Sequence, residues 1–148
     1  MDEAKFKTTY REMNPLPCIF RKAILSNKFD CEKVQHLNIA ERETVNCSSG
    51  DAHKTCFNLL KLLEENSQVA LHLTDINIQL THIKAMKIQC GGLLGIQNSL
   101  KLSGEVVNIY SLLKQALLEF QTLDDFPYQN IVGIIVHYEV RKRHSNNT

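Results

Sequence analysis

The chain has 148 residues, 43% of them hydrophobic and 22% charged, which suits one globular domain able to bury a core without disulfide staples. Lys and Arg total 17 against 16 Asp and Glu, a formal net charge of +1, so overall charge marks out neither a nucleic-acid nor an anionic-membrane partner. The 6 Gly and 3 Pro exclude collagen-like and low-complexity classes, and the apolar fraction excludes a disordered chain.

Residues 1–9 read M-D-E-A-K-F-K-T-T, with no apolar core or cleavage site of a secretory signal, and the expectation is a cytoplasmic protein. Apolar runs such as Ile134-Ile135-Val136 fall far short of the roughly 18 residues that span a bilayer, so no membrane partner is expected. Five cysteines in a reducing compartment do not read as a disulfide framework, and an odd count cannot pair fully within one chain. Metal binding or plain burial remain.

Residues 1–15 read as a loose arm, stopped by Pro15-Leu16-Pro17. Pro17 suits the first position of a helix running to about Asn27, with Cys18 in its first turn. Asp30 is the expected N-cap of a second helix through about Val45, with Val34, Leu37 and Ala40 on one side and Cys31 at its start. Cys47-Ser48-Ser49-Gly50-Asp51 is turn chemistry. Ser48 and Asp51 have capping-box spacing ahead of a third helix carrying Ala52, Cys56, Leu59, Leu60 and Leu63.

Between Val69 and Leu80 the pattern alternates through Leu71, Leu73, Ile76 and Ile78, which fits a strand pair or, as preferred here, a helix end and extended loop. A helical pattern resumes from His82 to Cys90, Gly91-Gly92 interrupts or bends it, and Leu93 to Leu100 continues. Glu105 to Leu123 is the clearest helix, with Val106, Ile109, Tyr110, Leu113, Leu117 and Phe120 in one stripe. Asp124-Asp125-Phe126-Pro127 then starts a last helix bearing Ile131, Ile134, Ile135 and Tyr138, closed by basic residues 141–144 before a disordered tail at 144–148. The expected fold over 1–148 is all-α, a single compact bundle of about five to seven helices. Its core is expected to include Leu60, Leu63, Ile109, Leu113, Leu117, Ile131 and Ile135.

The cysteine intervals are C-x12-C, C-x15-C, C-x8-C and C-x33-C, with no C-x2-C pair, so a site must be assembled by the tertiary fold. Cys18 and Cys31 in first turns, and Cys47 just before a cap, would place three thiols where exposed amides and the helix dipole favour thiolate. Amide donors of that kind suit an iron-sulfur cluster, which carries negative charge when held by four thiolates. Cys18, Cys31, Cys47 and Cys56 form the most economical ligand set, with Cys90 as the alternative fourth. The competing explanation is that all five are buried core thiols. His53, three residues before Cys56, offers a Cys3His zinc site instead. Gln89-Cys90-Gly91-Gly92-Leu93-Leu94-Gly95 lacks the order and ending of a phosphate loop, which leaves a tight bend with close helix packing. Cys90 and His82 lack spacing that would orient a base or an oxyanion hole, so the chain reads as a non-enzyme.

C-I-F at 18–20, I-A-E-R-E at 39–43 and K-A-M-K-I-Q-C-G-G-L-L-G at 84–95 resemble a group of small uncharacterised proteobacterial proteins that contain cysteines and a Q-C-G-G-L-x-G motif. The resemblance runs from about Pro17 to Leu100. It implies a cytoplasmic bacterial protein with dispersed cysteine ligands and carries no catalytic assignment.

The sequence therefore points to a small cysteine-ligated metalloprotein, an iron-sulfur protein of electron transfer or redox sensing, with a redox or regulatory protein as partner. The alternatives are a structural zinc protein and a metal-free helical interaction module.

Overall fold

The computed structural model describes residues 3–73, 80–104 and 107–140, and it is a mixed α and β structure rather than an all-α bundle. The correction lies chiefly in the segment expected as the second helix. Val34–Ile39 (β2) and Arg42–Cys47 (β3) form an antiparallel hairpin, in register from Val34 opposite Cys47 to Ile39 opposite Arg42. Its two-residue turn holds Ala40 at φ 52° and Glu41 at φ 68°, the left-handed pair that a twisted hairpin requires. Ala-Glu carries none of the Asn-Gly chemistry that announces such a turn, so the helical spacing of Val34, Leu37 and Ala40 misleads. Tertiary contact decides in favour of the strand: Thr44, Val45, Asn46 and Cys47 are all buried.

The expected loose arm is instead helix α1, Glu3–Met13, packed against β2. Asn14, 1% exposed, ties its end to β3 through Nδ2 donating to Thr44 Oγ1 at 3.1 Å. Residues 16–18 run beside β3. Pro17 bridges Asn46, the Cys18 N–H donates to Val45 O at 3.1 Å, and the Cys47 N–H donates to Leu16 O at 2.7 Å. Because those backbone groups serve the sheet edge, no helix starts at Pro17, and α2 is confined to Arg21–Leu25. Phe29–Asp30 (β1) pairs in parallel with Val107–Asn108 (β4).

Helix α3, Gly50–Ser67, starts at N-cap Ser49, which accepts from the Ala52 N–H at 3.1 Å. The expected cap, Ser48, donates instead to Lys33 O at 2.7 Å. Residues 74–79, with Ile76 and Ile78 of the alternating segment, lie outside the described residues. Helix α4 (His82–Met86) passes through a π-helical turn at Lys87–Gly91 straight into α5 (Gly92–Ser99), so the glycine pair does not break the helix.

Helix α6, Ile109–Phe120, has Asn108 as N-cap, and the expected start at Glu105 and Val106 falls outside the described residues. A short turn, Leu123–Asp125, leads to α7, Tyr128–His137. Residues 141–148, basic cluster and tail included, are likewise outside. Leu59, Leu63, Leu93, Ile96, Ile109, Ile131 and Ile135 centre the core, while Leu60 and Leu117 are only partly buried against it. Among the described residues no helix is long and apolar enough to cross a membrane.

Candidate metal centre

The open end of the hairpin gathers the cysteines. Cys31 stands three residues before Val34, and Val34 faces Cys47 across the ladder, so the antiparallel register brings the two together. The edge segment of residues 16–18 lays Cys18 alongside β3. Two residues after Cys47 the chain reaches Ser49, the cap of α3, and Cys56 follows in the second turn of that helix.

Every pair among Cys18, Cys31, Cys47 and Cys56 lies within electrostatic reach, each negative thiolate disfavouring ionisation of its neighbours. Burial is the larger cause: it pushes the Cys18 and Cys56 thiols up to about 12 and raises Cys31 as well. The other three thiols add to the shift at Cys56. Backbone donors work in the opposite direction. The Phe20 N–H favours the Cys18 thiolate, aided by the Arg21 charge, and the Lys33 and Tyr110 N–H groups favour that of Cys31. The Lys33 N–H lies 3.5 Å from Cys31 Sγ, and Cys47 Sγ donates to Ser49 O at 3.2 Å.

Three of the thiols thus turn to the backbone two residues further on. This corrects the expectation of helix first turns at Cys18, which precedes α2 in an edge segment, and at Cys31, which lies between β1 and β2, while Cys47 ends β3 just before the Ser49 cap of α3, as expected. At Cys18 and Cys31 the individual amides of Phe20, Lys33 and Tyr110 supply what helix N-termini were expected to supply. Tyr110 was not recognised in the sequence as a donor, because its backbone reaches Cys31 through the β1–β4 pairing. Its ring lies under two ammonium groups, Lys33 Nζ at 4.7 Å and Lys114 Nζ at 5.3 Å from the centroid.

Of the two remaining candidates, one stands apart. Cys90 is fully buried in the π-helical turn and interacts with Tyr138, Ser26 and Lys28, not with the other four thiols. His53 places Nε2 3.0 Å from Pro17 O, so Nε2 carries the proton and the Nδ1 lone pair is left available.

The residue types are those a thiophilic metal group takes, since Cys18, Cys31, Cys47 and Cys56 lie within electrostatic reach of one another. Among the described residues no three His, Cys, Asp or Glu side chains draw together tightly enough to hold a metal ion. A cleft of about 160 Å³ between α3 and α6 opens on Cys56, lined also by Asp51, Thr55, Tyr110 and Lys114.

No protein-family profile matches the chain, and no curated protein or solved structure matches it.

Proposed function

We propose that the chain is a small cysteine-ligated metalloprotein that holds an iron-sulfur cluster on Cys18, Cys31, Cys47 and Cys56 and serves electron transfer or redox sensing in a reducing cytoplasm. The observation that carries this reading is the mutual electrostatic reach of all four thiols, gathered from the 16–18 segment, the β1–β2 link, the end of β3 and α3. A bound cluster would supply one-electron chemistry. The chain's part is to bury it, to direct the Phe20, Lys33 and Tyr110 amides at its thiolates, and to present it to a redox or regulatory protein.

Anaerobic purification followed by iron, acid-labile sulfide and zinc analysis tests the reading. Stoichiometric iron and sulfide, lost on Cys18→Ser or Cys56→Ser and retained on Cys90→Ser, supports it. Zinc without iron makes the site structural. If the protein holds no metal and cannot be reconstituted, the cysteines are core thiols of a metal-free module.

A further inference from the structure

A second cleft, separate from the one beside Cys56, lies between α3 and the start of α2 and has a volume of about 390 Å³. That size suits a small molecule. Its α3 side is a single helical stripe, in which Phe57, Leu60, Lys61 and Glu64 stand at i, i+3, i+4 and i+7. Gln89 reaches the cleft from the π-helical turn, an irregularity frequent at functional sites.

Polar groups in this cleft lack the partners their chemistry calls for. Gln89 is 6% exposed, and its Oε1 accepts from the Ala23 N–H at 3.2 Å, whereas among the described residues no acceptor takes its Nε2 amide. Arg21 and the half-buried Glu64 enter no ion pair among the described residues, and neither does Lys61, although it stands one turn before Glu64. A covered donor and a half-buried carboxylate without partners cost stability. A ligand that brings both an anion and a cation would complete them together.

We propose that this cleft binds a free L-α-amino acid with a large apolar side chain. Arg21 takes the carboxylate through its planar fork. Gln89 Nε2–H donates to the same group, because its other amide atom is held by Ala23, two residues from Arg21, so both donors stand at the α2 end. Glu64 takes the ammonium. Leu60 and Phe57 follow one and two turns back along α3, a run of roughly 10 Å that a leucine or phenylalanine side chain can follow. Phe57, large and apolar yet 53% exposed, is the surface such a side chain would cover. A nucleotide suits the site less, since Glu64 would oppose its phosphate and gain no partner. None of this depends on whether the four thiols hold a metal.

The test titrates the full, isotope-labelled chain and follows amide chemical shifts. L-phenylalanine and L-leucine should saturate, with the largest shifts at residues 19–23, 57–64 and 87–91. L-phenylalaninamide lacks the carboxylate, hydrocinnamate lacks the ammonium and L-alanine lacks the apolar reach, and each should bind about tenfold more weakly or worse. Arg21→Met should weaken L-phenylalanine about tenfold and leave L-phenylalaninamide unchanged. Glu64→Gln should weaken L-phenylalanine to a similar degree and leave hydrocinnamate no weaker. Arg21 and Phe57 are exposed, and thermal melts show that each variant folds; where one does not, the ligand comparison on the wild type decides. Absence of saturable shifts with both amino acids, equal binding of hydrocinnamate and L-phenylalanine, or shifts centred on residues 51–56 and 110–117 would overturn the proposal. Tighter binding of inorganic phosphate or adenosine monophosphate at the same residues would make the cleft an anion site and overturn it as well.

Discussion

A Cβ on Gly91 would stand 2.7 Å from the Cα of Ile135, and four residues later a Cβ on Gly95 would stand 2.9 Å from the Cα of Ile131. Spacing of four on one helix meets spacing of four on the other, so the column of α4 and α5 and helix α7 approach almost backbone to backbone. The glycine-rich stretch is a packing seam. Gly91→Ala and Gly95→Ala should each destabilise by about 1 to 3 kcal/mol, because backbone rather than a flexible side chain must give way. Gly133 in α7 has no atom within 4 Å of its would-be Cβ, and Gly133→Ala should stabilise by about 0.5 to 1 kcal/mol through helix propensity. Urea denaturation of the three variants checks the opposite signs.

Lys87 lies in the π-helical turn and sends Nζ to Val136 O at 3.0 Å and to Tyr138 O at 2.7 Å. Its charge therefore satisfies carbonyls at the C-terminal end of α7, where the helix dipole favours a cation. Lys87→Met keeps the aliphatic length and removes the donor. It should cost about 1 to 3 kcal/mol, and hydrogen exchange at the last turn of α7 should accelerate more than exchange in α3.

Helices α3 and α6 are legible because their apolar stripes are long and a side chain caps each N-terminus. Ser49 and Asn108 both accept from the amide three residues on. The hairpin is not legible, since Ala40 and Glu41 adopt positive φ without any residue that favours it. The four candidate cysteines stand out by their crowding into the first part of the chain, but Cys18 and Cys31 lie outside any helix first turn, and only Cys47 keeps its expected place just before a cap. What gathers them is strand register, a long-range property that local spacing does not encode. His53 stood out in sequence as a ligand, yet only the fold brings Pro17, 36 residues away, to its ring.

Leu113 and Leu117 share one helical stripe and both line the cleft beside Cys56, yet only Leu113, at 3% exposure, belongs to the buried core, while Leu117 is partly buried. Leu113→Ala should cost about 2 to 5 kcal/mol. Leu117→Ala should cost clearly less, because its side chain is already partly exposed and its removal uncovers less buried apolar surface. Chemical denaturation that found equal losses would contradict this division.

Burial first, and Glu65 second, push the Glu64 carboxyl above its ordinary range. A carboxyl raised in the folded state binds its proton more tightly there than in the unfolded chain, so its contribution to stability falls as pH rises from the unfolded value through the folded one. Above that window the charged form imposes a constant penalty, softened by solvent because the side chain is only half-buried. Glu64→Gln abolishes the titration. The variant should be more stable than wild type near neutral pH, and the advantage should disappear below about pH 4, where the wild-type carboxyl is protonated in both states. Urea midpoints across that range read the effect directly. An advantage that persisted unchanged at low pH would assign it to packing instead of charge.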